Sequence, residues 1–359
     1  MKFNIAYAPD DKYINQTIVS MVSAIENNKE HEIEFIIIYS KLNEESIEKL
    51  KSVSTPPPNP LPQGTGEILT ELNQMSPVDK KRAGEILTKN AGQAIPDKNV
   101  KIRLLQVNES IFTPLPLSHW VTVQAWFRIK LPDMCPDLDK ILYLDCDTLI
   151  LDNLEELFNT NLSSKYLAGV KDVWGVNKYC KRLNMTSGVY VNSGMLLINA
   201  EYCRQENFFD KIVDFANNNA KIIEFCDQDS INKVADEKKV VLSPKFNFMD
   251  TWWRGGYYEF WGEEEQEYLK AKESPVIAHL TGPKPAFKGC GNKFKDKWWE
   301  YAKLTNFYSE LQEDYENSKE PKEPLKDKLF SIKNKYEGKT KTKILTVLGL
   351  RIVLKKKSL

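Results

Sequence analysis

Two aspartates, at positions 145 and 147, are the residues whose type and spacing most clearly could do chemistry. They follow the apolar run Lys140-Ile-Leu-Tyr-Leu, which is typical of a buried strand. Side chains alternate along a strand, so two carboxylates at this spacing would point to one side if the extended backbone continues. Two carboxylates held that close are costly to keep charged without a cation, and their oxygens suit a hard divalent ion. The pattern indicates a metal site, although a polar turn after a strand would give the same sequence pattern.

The elements that must position this pair alternate between strand and helix. Apolar runs at 2–8, 33–39 and 100–107 predict strands, and apolar residues at helical spacing over 14–25 predict a helix. This alternation predicts a parallel α/β fold, in which ligands bind beyond the carboxyl ends of the strands. Later in the chain the spacing predicts strands near 166–170, 189–191, 195–198 and 276–280, and helices near 119–130, 201–216, 227–234 and 295–311.

Residues 54–96 interrupt this alternation. They hold seven of the 18 prolines and no Phe, Tyr or Trp, so they lack the apolar content to pack. We interpret them as a Pro-rich low-complexity insertion in one domain over 1–312, followed by a linker at 313–325 and a basic tail at 326–359.

The net charge of zero hides the asymmetry of that tail. Residues 326–359 carry eleven Lys and Arg against Asp327 and Glu337, a surplus of nine, so the remainder of the chain has a net charge of minus nine. Basic clusters flank the apolar block 344–354, a composition that suits an interfacial segment on anionic lipid. A solvated charged extension is the alternative. No aromatic stacking pattern accompanies the basic residues, which argues against nucleic acid as a partner.

The cysteines and the start of the chain favour a cytoplasmic protein. The six cysteines show no CxxC pair and no zinc-ligand spacing, so they are interpreted as reduced and mostly buried thiols. Asp10 and Asp11 come before any signal-peptide apolar region could form. The apolar block of the tail contains Arg351 and is far too short to span a bilayer.

Six motifs in one order resemble glycosyltransferase family 8, with matches from residue 3 to about 308. The resemblance implies a GT-A fold, a Rossmann-like nucleotide-binding α/β architecture, and a retaining, metal-dependent transferase that uses nucleotide sugars. The motifs are Tyr7-Ala-Pro-Asp10-Asp-Lys-Tyr13, Trp126-Phe-Arg128-Ile-Lys-Leu, Leu142-Tyr-Leu-Asp145-Cys-Asp147, Tyr190-Val-Asn192-Ser-Gly-Met-Leu-Leu-Ile-Asn199, Asp227-Gln228-Asp229-Ser-Ile-Asn232 and His279-Leu-Thr-Gly282-Pro-Lys284.

The resemblance also implies roles for particular residues. Two carboxylates and an imidazole would hold Mn²⁺ or Mg²⁺, a second group would bind the nucleotide and pyrophosphate, and a third would contact the transferred sugar. The metal set is Asp145, Asp147 and His279; the nucleotide set is Ala8, Asp10, Tyr13, Asp145, Cys146, Gly282 and Lys284; the sugar and catalytic set is Arg128, Asn192, Asp227 and Gln228. An amide is a poor nucleophile, so front-face attack is favoured over a covalent intermediate on Gln228.

These implications predict a hexosyltransferase that moves glucose or galactose from UDP-glucose or UDP-galactose to a saccharide. The acceptor would be lipopolysaccharide or another cell-surface glycan, lipid-linked at the cytoplasmic face of the inner membrane, with the basic tail as peripheral anchor. Two alternatives stay open: a glycogenin-like primer that glucosylates itself, and a glycan-binding protein with a decayed site.

Overall fold

A seven-stranded sheet forms the centre of the molecule. The computed structural model describes residues 1–54, 99–117, 122–173, 175–250, 262–318, 330–337, 340–347 and 350–358. The strands of the central sheet follow the apolar runs of the sequence. In chain order, the strands of this sheet and of a smaller one beside it are β1 (Lys2–Tyr7), β2 (Glu32–Tyr39), β3 (Val100–Gln106), β4 (Lys140–Leu144), β5 (Thr148–Ile150), β6 (Leu167–Lys171), β7 (Val191–Asn199), β8 (Lys239–Leu242) and β9 (Ile277–His279).

The central sheet is mainly parallel, and its strand order reverses beside β1. The order is β3-β2-β1-β4-β7-β6-β8, with β1 parallel to both β2 and β4, and β7 antiparallel to β4 and β6. The chain moves outward from β1 to β3 and then returns to the other side of β1, so β1 and β4 flank a switch point. Ligands of open α/β sheets bind in the crevice at such a point. Ala8 and Asp145, the first residues after β1 and β4, lie at this crevice.

Helices cover both faces of the sheet, which is why its strands are nearly continuous apolar runs. Along β1, Phe3, Ile5 and Tyr7 belong to the core on one face and Ala6 to the core on the other. In chain order, the helices are α1 (Ile14–Glu26), α2 (Glu44–Ser52), α3 (Gln124–Phe127), α4 (Leu131–Met134), α5 (Glu155–Phe158), α6 (Val176–Arg182), α7 (Ala200–Gln205), α8 (Phe208–Asn218), α9 (Cys226–Val234), α10 (Glu263–Glu273), α11 (Lys295–Ala302) and α12 (Tyr308–Asn317).

The smaller sheet brings two distant parts of the chain together. Strands β5 and β9 are antiparallel, and Thr148 pairs with His279. The backbone N–H of Leu280 donates to the carbonyl oxygen of Asp147 at 2.7 Å. This pairing carries the histidine at the end of β9 to the two aspartates that follow β4.

The predicted helices near 201–216 and 295–311 are both broken in the structure, the second into α11 and α12. The sequence predicts a single helix near 201–216, whereas α7 ends at Gln205 and α8 begins at Phe208. Between them Asn207 has a φ of 51°, in the left-handed region that asparagine tolerates and that ends helices. The helical spacing continues across the break, and so the sequence pattern hides it.

The basic tail contains three strands that the sequence analysis did not predict. They are β10 (Phe330–Glu337), β11 (Thr340–Val347) and β12 (Leu350–Ser358), and they form a separate antiparallel sheet. Alternating threonines and β-branched residues in this part of the chain favour strands. The part of the chain that the structure describes contains no helix long and apolar enough to cross a membrane. Of the predicted Pro-rich insertion, residues 55–96 lie outside the described residues.

Candidate active site

Two carboxylates and one imidazole converge at the switch point of the sheet. His279 Nε2 lies 3.3 Å from Asp147 Oδ1 and 3.8 Å from Asp145 Oδ2. One ligand atom from each of the three residues lies within 4.8 Å of the other two. The aspartates come from the end of β4 and the histidine from the end of β9. Oxygen and imidazole nitrogen donors at this separation fit a divalent cation such as Mn²⁺ or Mg²⁺.

The electrostatics of the triad keep Asp147 charged. Burial acts to raise the pKa of Asp147, but His279 and Lys284 outweigh it and hold that pKa below its usual range. The Lys284 ammonium donates to Asp147 Oδ2 and, at 3.1 Å, to the carbonyl oxygen of Leu280. Burial raises the pKa of the neighbouring Cys146 thiol to about 12, so the thiol stays neutral. The anionic groups available here are therefore the carboxylates.

Close approach of a glycine makes room for the triad. The carbonyl oxygen of Gly194 in β7 accepts from the N–H of Asp145 at 2.8 Å. A Cβ atom on Gly194 would lie 2.7 Å from Asp145 Oδ2 and still closer to the His279 ring. Any side chain here would displace one of these two groups.

A buried arginine joins the aspartate at the end of β4 to α9. Arg128 Nη2 lies 3.1 Å from Asp145 Oδ1, and Nε lies 3.2 Å from Asp227 Oδ2. The guanidinium sits 4.3 Å from the centre of the Tyr143 ring and also donates to the carbonyl oxygen of Ser193. The Tyr143 hydroxyl donates to Asp145 Oδ1 at 3.0 Å. Tyr143 therefore orients both the arginine and the aspartate.

Asp227 presents a buried oxygen to the site. Burial raises the pKa of Asp227 to about 6, against the lowering effect of Arg128. Its Oδ2 atom is buried and has no hydrogen-bond partner among the described residues, because the nearby Arg128 Nε–H donates to the carbonyl oxygen of Ala125. A buried acceptor is costly to leave without a hydrogen bond. The oxygen is therefore suited to a ligand hydroxyl.

The amide of Gln228 is held on both sides. Its oxygen accepts from the N–H of Ser193 at 2.8 Å and from Asn192 Nδ2 at 3.2 Å. Its nitrogen donates to Asp172 Oδ2 at 3.1 Å and lies 3.3 Å from the Tyr190 hydroxyl. These contacts fix the side chain in one orientation and occupy the oxygen that would have to act as a nucleophile.

A cavity of about 350 Å³ opens beside these groups, at the carboxyl ends of β1 and β4. Most of the predicted site residues line it, and they are Ala8, Asp10, Tyr13, Arg128, Asp145, Cys146, Asp147, Asp227 and Gln228.

The other predicted residues are not among those that line the cavity. His279 and Lys284 contact Asp147, and Gly282 follows β9 with a φ of 83° that favours glycine. The Asn192 amide already makes four hydrogen bonds inside the protein: its nitrogen donates to Gln228 and Asp172, and its oxygen accepts from Gly194 and Asn247.

Comparison with known proteins identifies the family. Residues 4–286 match the sequence model of glycosyl transferase family 8. The chain belongs to glycosyltransferase family 8.

Two curated relatives of this family 8 chain are bacterial proteins. General stress protein A of Bacillus subtilis (strain 168) is 26% identical over 239 residues, which cover 65% of this chain and 80% of the relative. The lipopolysaccharide 1,2-glucosyltransferase of Escherichia coli is 26% identical over 290 residues, which cover 78% of this chain and 71% of the relative. Other relatives are longer: the matched residues span 22% of glycosyltransferase GlyD of Streptococcus pneumoniae.

Solved structures confirm the predicted GT-A fold. An active-site mutant of LgtC superposes with a TM-score of 0.66 at 23% identity, covering 88% of this family 8 chain and all of LgtC. A complex of the galactosyltransferase LgtC with donor and acceptor sugar analogues gives a TM-score of 0.65. The predicted α/β architecture is therefore confirmed.

Several residues of this family 8 site were not predicted. Tyr143 lies two residues before Asp145 on the same side of β4, so the strand period alone could have found it. Asp172 directly follows β6, where the carboxyl end of a strand was the available signal. Gly194 and Asn247 carry no such local signal, because their contacts come from residues distant in the chain.

Proposed function

We propose that this family 8 protein is a retaining, divalent-cation-dependent hexosyltransferase. It moves glucose or galactose from a UDP-sugar to a saccharide acceptor. The observation that carries this proposal is the convergence of Asp145, Asp147 and His279 at the switch point, beside a cavity of about 350 Å³. Loss of a nucleoside diphosphate leaves concentrated negative charge, and a site that holds a cation there serves that step.

Asp145, Asp147 and His279 are the residues that would hold Mn²⁺ or Mg²⁺. When bound, the ion neutralises charge on the pyrophosphate of the leaving group. Lys284 adds a second positive charge at the same end of the cavity, within reach of Asp147. The left-handed backbone at Gly282 allows the chain to approach the phosphates closely.

The nucleotide base lies against the loop that follows β1. Asp10 Oδ1 accepts from the N–H groups of Lys12 and Tyr13 and so shapes the loop, leaving its other oxygen for the uracil imide. Tyr13 keeps 39% of its surface exposed, as a ring that stacks on a base must. Ala8 and Cys146 line the cavity between them and the metal ligands.

Arg128, Asp227 and Gln228 act at the sugar end. Asp227 Oδ2, which accepts no hydrogen bond from the described residues, accepts from a sugar hydroxyl, and its ion pair with Arg128 holds the carboxylate in place. The amide of Gln228 is fixed by Ser193, Asn192 and Asp172, so it orients the sugar and does not attack it. Retention then proceeds by front-face attack, in which the leaving phosphate takes the proton of the acceptor.

A donor screen read by mass spectrometry tests this proposal. The full-length protein is incubated with UDP-glucose or UDP-galactose, Mn²⁺ and extracted core glycolipids, with EDTA in a parallel reaction. We expect one hexose added to the glycolipid in the Mn²⁺ reaction and none in EDTA. A ladder of hexoses on the protein itself would instead indicate the self-glucosylating primer. Absence of both transfer and UDP-sugar hydrolysis would indicate a decayed site.

The basic tail is proposed to hold the enzyme at an anionic membrane surface, where a lipid-linked acceptor is presented. Residues 355–357 are three consecutive lysines, and near an anionic surface each contributes on the order of 1 kcal/mol. Changing all three to glutamate should strongly reduce binding to anionic liposomes and should slow transfer to a lipid-linked acceptor more than transfer to a soluble sugar.

The matched control changes the same three lysines to arginine, which keeps the charge. Sedimentation with liposomes of graded phosphatidylserine content measures the binding. Wild-type binding should weaken as salt rises, because exposed charges are screened over about 10 Å at 0.1 M ionic strength. Equal sedimentation of the glutamate and arginine variants would remove the tail from the proposal.

A further inference from the structure

A chain of side-chain hydrogen bonds connects the candidate metal site to the sugar end of the cavity. His279 Nδ1 lies 3.0 Å from Asn247 Oδ1, and Asn247 Nδ2 donates to Asn192 Oδ1 at 3.0 Å. Asn192 Nδ2 in turn donates to Gln228 Oε1 at 3.2 Å and to Asp172 Oδ2 at 3.3 Å. Asn247 is the middle member of this chain and is fully buried.

The donor and acceptor roles along this series of hydrogen bonds are fixed by the residues that form it. Asn192 Oδ1 accepts from the backbone N–H of Gly194 at 3.0 Å, so it is an acceptor and must receive the NH₂ group of Asn247. The carbonyl oxygen of Asn247 then faces His279 Nδ1. Because that oxygen can only accept, Nδ1 carries the proton, and in the neutral ring Nε2 has the free lone pair. Nε2 is the atom that faces Asp145 and Asp147.

The backbone holds Asn247 in place beside the histidine. The N–H of Phe248 donates to the carbonyl oxygen of Ile277, and the N–H of His279 donates to the carbonyl oxygen of Phe248, both at 2.9 Å. The segment that carries Asn247 therefore runs along β9. Its position does not depend on the side-chain hydrogen bonds, so these can be removed separately.

We propose that Asn247 is a positioning residue that presents His279 Nε2 to the metal site and ties that ring to Asn192 and Gln228. Partners that orient a metal-bound histidine raise metal affinity, and their loss typically costs 10–100-fold. These hydrogen bonds also make cation binding and sugar binding interdependent, because each ligand holds the same side chains in one arrangement. This inference rests on the proposed function for the identity of the two ligands.

Two variants separate the effect of Asn247 on metal binding from its connection to the sugar end of the cavity. Asn247→Leu has a similar volume and removes both hydrogen bonds; its Kd for Mn²⁺, measured by electron paramagnetic resonance, should rise about 10–100-fold. Asn247→Asp keeps an acceptor for His279 but turns an oxygen toward Asn192 Oδ1. It should retain Mn²⁺ affinity within a few-fold and lose the tightening of Mn²⁺ binding that UDP-hexose produces relative to UDP.

Asn28→Leu is the matched control. Asn28 is also fully buried, and its amide donates to the carbonyl oxygen of Ala24 and accepts from the N–H of Leu154. Its replacement should lower Tm without changing Mn²⁺ affinity. Long-range ¹H–¹⁵N spectra of the imidazoles add a direct readout, which is tractable because the chain has three histidines. Neutral His279 should show the Nδ1–H tautomer in the wild type and lose that preference in Asn247→Leu.

The outcomes decide between the proposals. Mn²⁺ binding by Asn247→Leu within twofold of wild type, or an unchanged tautomer in that variant, would overturn the role of Asn247. A wild type that binds no Mn²⁺ but shows the Nδ1–H tautomer, lost in Asn247→Leu, would support the positioning of His279. It would at the same time contradict the metal dependence of the proposed function.

Discussion

Asp147→Ala should remove metal-dependent sugar transfer while leaving the domain folded. A loss of roughly 10²-fold or more is expected, as for other groups that stabilise developing charge. Asp147 contacts both His279 and Lys284, so its removal takes away a proposed ligand and the shared partner of two basic side chains. The measurement is the initial rate against Mn²⁺ concentration, with Tm recorded for each protein.

Asp152→Ala is the control for this substitution. Asp152 is an exposed aspartate five residues further along the chain, and its side chain accepts from the N–H of Asn153. Its replacement should leave the rate and the Mn²⁺ dependence unchanged. Undiminished turnover of the wild type in EDTA would contradict the metal assignment whatever the variants do.

Gly194→Ala should be nearly as damaging, although it adds a single methyl group. The new Cβ would overlap the His279 ring and lie 2.7 Å from Asp145 Oδ2. His279 is buried and held by Asn247, so relief requires movement of a proposed ligand. A displacement of about 1 Å at a reactive site can cost about 10²-fold in rate. We expect a loss of that order in kcat/KM, accompanied by weaker Mn²⁺ binding.

Gly169→Ala separates this effect from simple overcrowding. A Cβ on Gly169 in β6 would lie 3.1 Å from the Val191 side chain, within the same sheet. Overpacking of this kind typically costs about 1–3 kcal/mol of stability. Gly169→Ala should therefore lower Tm with unchanged Mn²⁺ affinity. If Gly194→Ala lowered Tm alone and bound Mn²⁺ normally, the glycine would matter for packing and not for the site.

The sequence predicted those features that local periodicity encodes. Asp145 and Asp147 could be placed because an apolar strand precedes them and carboxylates bind cations. His279 was reached through family resemblance. The physical reason for its position is the pairing of β5 with β9, which are separated by more than a hundred residues. With three residues, β5 is too short for a periodic pattern to reveal.

Features that depend on distant atoms escaped prediction. Gly194 matters because His279 occupies the space where a side chain would lie, and Asn247 matters because of the two amide groups on either side of it. The predicted strand near 195–198 is part of β7, which begins at Val191 because the polar Asn192 and Ser193 keep extended backbone; of the predicted strand near 189–191, only Val191 belongs to it. The three strands of the tail were not predicted because their lysine content is high, and lysine is depleted in strands.

β3 is the last strand on one side of the central sheet, and in the chain it follows α2 and residues 55–98. β2 and β3 are paired along the whole stretch from Ile33↔Val100 to Tyr39↔Gln106, and β1 pairs with β4. A chain cut within 55–98 would thus give two pieces that two strand ladders still join. The domain is therefore suited to a split-enzyme design. Reassembly of the two pieces would restore the crevice between β1 and β4, and recovery of the proposed sugar transfer would measure it.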